Sequence, residues 1–409
     1  MQRRATMPPP LFGVLFVPSG MCQGFVSVVL GYILSQHGVG VAEIAALVGL
    51  RLLPETWAFL AGPIIDSFLT GVRWYIMAIA GLALCFVGLA FYPVAGGNSA
   101  LLGALCLLGG ITAVLSVSAA SATLALTTTD AVRGACAGWR QTGWLGGIGL
   151  GGGGALWLAT HAGGMRVAAL VSAAVYLLCM FPFLIVKVPA ARRSTSVAAA
   201  AREAFGALWK VVRTRPGILA AIAVTLPAGL GAAAYLLPAV AGDWHASADV
   251  VATVTGALSG IASIPGCITS GYLCDRFPRR TVFMCCALAG AVAEGLVTLV
   301  PHNAAGFAAI VLVNSAFTGL AYGSVVAVIF DRLEKVGAAT VNGVLNSLSN
   351  LPVVVVTMII GAVQTRAGST AMLLTEAGLG VVSVALYALL VVVWRPPAVD
   401  PLLQPAAVT

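Results

Sequence analysis

The sequence predicts an all-α integral membrane protein of twelve transmembrane helices, arranged as two pseudo-symmetric six-helix bundles. Three observations predict it. Of 409 residues, 60% are hydrophobic and only 8% charged, with a mean hydropathy of +1.03, whereas a soluble domain carries about a quarter charged residues. Apolar runs of bilayer-spanning length, about 20 residues, recur along the whole chain. One long polar stretch, 188–215, divides those runs six and six. Only helices or closed barrels satisfy their backbone in lipid, and runs this long and unalternating are helices.

The first span, 11–34, follows Arg3 and Arg4. That start resembles a signal peptide, but the apolar run is too long and lacks a clear cleavage site, so a retained helix is expected. Span 44–66 carries Arg51 and Glu55 one turn apart. Spans 74–92 and 99–127 have no charge beyond their ends, and 135–160 holds Arg140 and a glycine-rich stretch. Span 164–187 closes an N-terminal bundle, 1–187. After the 188–215 linker, the spans 217–241, 248–272, 280–300, 305–330, 338–364 and 369–394 form a C-terminal bundle, 216–394, with a disordered tail expected over 395–409. The 48 glycines suit helices that pack closely in lipid. The nine cysteines form no CxxC pair and read as packing residues. No metal site is expected from the four scattered histidines, and none of the chemistry requires a cofactor.

Basic residues favour the cytoplasmic side. With both termini inside, seventeen of the 21 Lys and Arg are cytoplasmic, two (Arg166 and Arg366) are outside, and two (Arg51 and Arg140) lie within helices. The formal charge of +8 follows from this topology and implies no nucleic-acid partner. The expected setting is a bacterial inner membrane, with the protein a monomer.

The two halves share a sequence trace. Gly62-Pro63-Ile64-Ile65-Asp66 ends helix 2 and Gly271-Tyr272-Leu273-Cys274-Asp275 ends helix 8, offset by 209 residues, with basic residues after each. Gly271 to Arg280 resembles the loop motif of the major facilitator superfamily, and the Gly62 to Asp66 copy is degenerate. Leu53 to Asp66 and Gly138 to Gly154 resemble the branch of muropeptide permeases, acetyl-CoA transporters and certain siderophore permeases. The chain lacks the extra helices usual in muropeptide permeases, which favours the shorter siderophore type. The resemblance implies that helices 1, 4, 7 and 10 line a central cavity and that Asp66, Asp275 and Arg276 gate it. Asp66 would face the start of helix 11 and Asp275 the start of helix 5, where unpaired N–H groups favour a carboxylate. Simple topology-fixing charge is the alternative.

Polar stripes supply the cargo candidates. Ser19, Gln23 and Ser27 share one face of helix 1, Asn314, Thr318 and Tyr322 one face of helix 10, and Asn342, Asn346 and Asn350 one face of helix 11. Each stripe could equally be interhelical hydrogen-bond glue. An ionised side chain at mid-helix costs about 2.5–3.5 kcal/mol on insertion scales, so intramembrane charge is the sharper sign. An arginine fork recognises carboxylates and phosphates. Arg140 with neighbouring Gln141, together with Arg51, is therefore expected to attract an anionic group on a small-molecule cargo. Glu55 is the candidate proton carrier, and the alternative is an Arg51–Glu55 pair that neutralises itself and only fixes packing. Glu294 and Glu376 fall on helices 9 and 12, peripheral by the resemblance, and read as structural or close to the membrane interface.

Gly147-Ile148-Gly149-Leu150-Gly151-Gly152 matches a dinucleotide fingerprint, but it lies inside a span rather than after a strand, so it reads as close helix packing. No P-loop or catalytic grouping appears, which argues against an ATP-driven pump and against an enzyme such as a membrane acyltransferase. The expected function is secondary transport by alternating access, either proton-coupled import of an amphiphilic anion (a siderophore complex or cell-wall fragment) or proton-antiport export of a drug or metabolite.

Overall fold

The computed structural model describes residues 7–61, 64–65, 69–94, 99–127, 133–186, 215–226, 231–330 and 338–394, with isolated positions between 188 and 213. These trace twelve successive helical segments. In the first half they are α1 (Pro10–Gln36), α2 (Val41–Leu52), α3 (Gly71–Ala90), α4 (Ser99–Thr127), α5 (Arg133–Gly149, continuing to His161) and α6 (Gly164–Leu178). The second half contains α7 (Arg215–Thr225), α8 (Ala248–Cys274), α9 (Arg279–Leu296) and α10 (Ala304–Phe330). A single run, Ala338–Val393, breaks only at Gly368 (φ 83°), giving α11 (338–367) and α12 (369–393). Among the described residues, eight helices are long and apolar enough to cross a membrane. Large apolar side chains such as Leu184 (89% exposed) and Leu299 (80% exposed) point outward, as a lipid-facing surface requires.

The N-terminal bundle is organised by α1 against α5. Gly13, Gly20 and Gly24 of α1 lie against the carbonyls of Trp139, Trp144 and Ile148, while Gly143, Gly147 and Gly151 of α5 lie against those of Gly13, Val17 and Met21. The glycine run read as packing is therefore a backbone-to-backbone crossing. A buried aromatic cluster braces α1, α3 and α6: Phe86 meets Phe25 and Tyr176 edge-on at 4.9 and 4.8 Å between centroids. Tyr75 donates to the Leu15 carbonyl at 2.9 Å. In the second half α8 and α9 pack on α10, and α9 on the 338–393 run.

The halves touch along α2–α11, along α5–α8, and between α1 and residues 232–244. Gly361 sits against Ala45, Gly153 against Ala252 and Gly256, and Gly31 against Ala239. Ala42 N–H donates to Thr365 Oγ1 at 3.1 Å and Phe59 N–H to Ser347 Oγ at 3.3 Å.

Two spans depart from continuous helices. After Leu52, Pro54 removes a backbone donor and the chain tightens into a 3-10 turn over Leu53–Leu60, with Trp57 at φ −126°. The expected helix over 217–241 is broken: α-helix ends at Thr225, Gly231 takes φ +62°, and two 3-10 pieces follow, Ala232–Tyr235 and Leu237–Trp244. The cause is chemical. Pro227, Gly229, Gly231 and Pro238 cannot sustain a continuous ladder. Broken backbone at membrane depth is tolerated where it is buried in protein or lines a cavity, and both kinds of break lead to the polar cluster between the halves.

Candidate functional site

The cluster is built on α1, on α2 with its 3-10 turn, on the 3-10 piece Ala232–Tyr235 and on α10. Arg51 is fully buried (2% exposed). Its Nη1 donates to Glu55 Oε1 at 2.6 Å and to Gln23 Oε1 at 3.3 Å, and its Nη2 donates to the Ser19 carbonyl at 3.3 Å. The one-turn spacing of Arg51 and Glu55 makes the pair, and the 3-10 turn keeps Glu55 partly open, at 24%. Gln23 uses its other end to reach the second half, where Nε2 donates to the Tyr235 hydroxyl at 2.9 Å. A continuous hydrogen-bonded path therefore runs from Glu55 through Arg51 and Gln23 to the 3-10 segment that replaces α7.

Arg140 approaches the same region from α5. Its guanidinium stands 5.1 Å from the Phe16 ring centroid, and it lies within electrostatic reach of Tyr322 on α10. Tyr322 also senses Glu55, and Tyr235 senses both Tyr322 and Glu55. Arg140 and Tyr322 are both exposed, although protein from both halves surrounds them. Among the described residues no carboxylate pairs with Arg140.

The sequence candidates divide accordingly. Gln23, Arg51, Glu55, Arg140 and Tyr322 come together. Asn314 does not join them: it is buried, lies within reach of Thr318 Oγ1 at 3.4 Å, and lines a small cavity with Gly231, Glu294 and Glu376. Asn350 is half-buried on α11. Arg276 lies over the Tyr272 ring at 4.2 Å. Asp66 and the side chains of Gln141, Asp275, Asn342 and Asn346 lie outside the described residues. Ser19 and Ser27 bond back to carbonyls of their own helix.

Sequence reasoning missed Tyr235 and the character of Glu294 and Glu376. Tyr235 is hidden in an apolar run whose prolines and glycines were the available signal. Glu294 and Glu376 are buried and line one small cavity inside the C-terminal bundle. Glu376 accepts the N–H groups of Ala232 and Ala233 at 2.6 Å each, anchoring the start of the segment that carries Tyr235.

Tyr235→Phe tests the bridge between the halves. Losing one neutral hydrogen bond while leaving Gln23 Nε2 unpaired is expected to lower stability by about 1 kcal/mol. Thermal unfolding of the purified protein in detergent would read it, and an unchanged midpoint would show that the contact carries nothing.

Two helical bundles, broken helices at their interface and polar groups gathered at mid-depth define a secondary transporter of the alternating-access kind, not an enzyme. The family model of the Major Facilitator Superfamily matches residues 12–240 and again 221–408, and the chain belongs to that superfamily. A solved D-xylose-proton symporter shares the fold with a TM-score of 0.68 at 14% identity, covering 92% of this chain and 96% of that one. Comparison with curated protein sequences finds no match.

Proposed function

We propose that the protein is a proton-coupled importer of a small amphiphilic anion, working in a bacterial inner membrane with both termini cytoplasmic. One observation carries the reading: Arg140 presents an accessible guanidinium between the halves that no carboxylate among the described residues pairs with. A cation kept at membrane depth at a cost of about 2.5–3.5 kcal/mol needs an anionic partner, and the cargo supplies it. Phe16 and Tyr322 beside it offer apolar and aromatic surface for the rest of the solute. Arg51 is occupied by Glu55, Gln23 and Ser19, so its part in cargo binding is to hold Glu55 in place. Glu55, paired yet partly open, is the proton carrier. The likeness of Leu53–Asp66 and Gly138–Gly154 to muropeptide, acetyl-CoA and siderophore permeases supports an amphiphilic anion, and the structural relative is described as a proton symporter.

Liposomes containing a pH dye and challenged with siderophores, muropeptides, acyl-CoA and simple organic anions would test this. One class should trigger proton entry. A charge-assisted hydrogen bond is worth about 1.5–3 kcal/mol, so Arg140→Ala should raise the half-saturating concentration about 10- to 100-fold, with partial recovery in Arg140→Lys. Equal flux in wild type and Arg140→Ala would remove the anion site. Glu55→Gln should transport without its pH dependence, and an unaltered pH profile would sink the carrier role. Outward movement of preloaded cargo against entering protons would replace import by export.

A further inference from the structure

Glu294 and Glu376 form a unit separate from the cargo cluster. Both oxygens of Glu376 accept backbone N–H groups, from Ala232 and Ala233, an arrangement that suits an ionised carboxylate. Glu294 shares a small cavity with Glu376 and is buried beside it. Glu376 already takes two amide donors while Glu294 Oε1 takes none, so a proton held by the pair belongs on Glu294. Its Oε1 is buried without a partner and borders the small cavity lined by Asn314 and Thr318.

Among the described residues the surroundings offer no counter-charge. The cavity is faced by Gly290 and Ala291 from α9, Asn314, Phe317 and Thr318 from α10, Gly380 from α12 and Gly231 from the broken α7. None of these titrates. Tyr235 belongs to the same 3-10 piece but bonds to Gln23. Among the described residues no salt bridge reaches either glutamate. Two buried carboxyls on one cavity, with no cation paired to them, favour holding a proton between them.

We propose that Glu294 and Glu376 are a second proton-binding site, in the C-terminal bundle, whose occupancy sets the position of the Ala232–Tyr235 segment and through it the Tyr235–Gln23 contact. The proton enters by the cavity edge and rests on Glu294. When it leaves, two like charges face each other while Glu376 still grips the amides of Ala232 and Ala233. Separating the charges pulls on that segment, which enters from a left-handed glycine and ends at the hydroxyl held by the N-terminal half. The role in transport rests on the proton-coupled reading above, but the site itself can be read without cargo.

The full chain in lipid nanodiscs, without cargo, would be titrated with pH in sodium-free buffer. Two signals would be followed: the infrared stretch of protonated carboxyl groups and hydrogen exchange over residues 231–244. In wild type the carboxyl band should fade as pH rises, and exchange in that segment should increase about tenfold over the same range, as expected of a locally loosened unit. Glu294→Gln keeps a donor toward Glu376, so it should lack the band component and hold the segment in its low-pH state. Glu43→Gln, at an exposed carboxyl on α2, should keep both responses. A wild-type segment indifferent to pH, a Glu294→Gln protein with the wild-type response, or a response driven by sodium would each overturn the proposal. Loss of the cargo reading would leave these signals untouched, and failure here would leave the Arg140-dependent flux untouched.

Discussion

Gly147→Ala is expected to destabilise the protein by about 1–3 kcal/mol, as overpacking of a fitted contact does, and to sharply reduce the yield of folded protein. A Cβ at Gly147 would run into the Val17 carbonyl and stand 3.0 Å from the Met21 amide nitrogen and 3.1 Å from Gly20 Cα. These are backbone atoms on a facing helix, with no flexible side chain to turn aside. The methyl group can be housed only by moving α1 away from α5 along a contact that Gly143 and Gly151 repeat one turn to either side. Gly146 is the control, because a Cβ there meets nothing within 4 Å. Ala favours a helix over Gly by about 0.5–1 kcal/mol, so Gly146→Ala should be neutral or slightly stabilising. Thermal unfolding of the pair in one detergent would decide the matter, and equal midpoints would refute the close crossing.

Arg51→Met is the second large effect. The substitution roughly preserves volume but removes the donor that serves Glu55, Gln23 and the Ser19 carbonyl together. Breaking a buried pair by deleting one partner costs about 3–5 kcal/mol, chiefly because the other charge is stranded. Glu55 is partly open, so the lower end of that range is expected. Adding Glu55→Gln removes the stranded charge and should restore part of the loss, giving a coupling energy of about 1–3 kcal/mol in the double-mutant cycle. Simple additivity would mean that the pair contributes no joint stabilisation and that Arg51 acts through packing alone.

Much of this was legible beforehand, for a physical reason. Lipid leaves the backbone few options, so the helical spans announce themselves as apolar runs, and charges within such runs are rare enough to mark Arg51, Glu55 and Arg140. Helical spacing placed Arg51 and Glu55 one turn apart, where they pair. It could not show which of the two open outcomes, cargo ligand or internal pair, would hold Arg51, because that depended on Gln23 and Ser19 of another helix. Asn314 and Tyr322 lie on one face of α10, yet two turns separate them, enough to serve the glutamate cavity and the Arg140 cluster respectively. Tyr235 escaped because hydropathy alone does not see a broken helix. Glu294 and Glu376 escaped because neither helix records which neighbour its polar face will meet.

The single-glycine turn at Gly368 has a consequence for selectivity. It is the extreme case of a pattern that the described connections 37–40, 162–163, 245–247 and 300–303 share. Helix ends are therefore almost flush with the bulk solution, and little chain is available to fold over an arriving solute. Proteins that sort ligands at their rim do so with loops. Here sorting falls to the interior, so a change of cargo preference should map to side chains within the helices rather than to the rim.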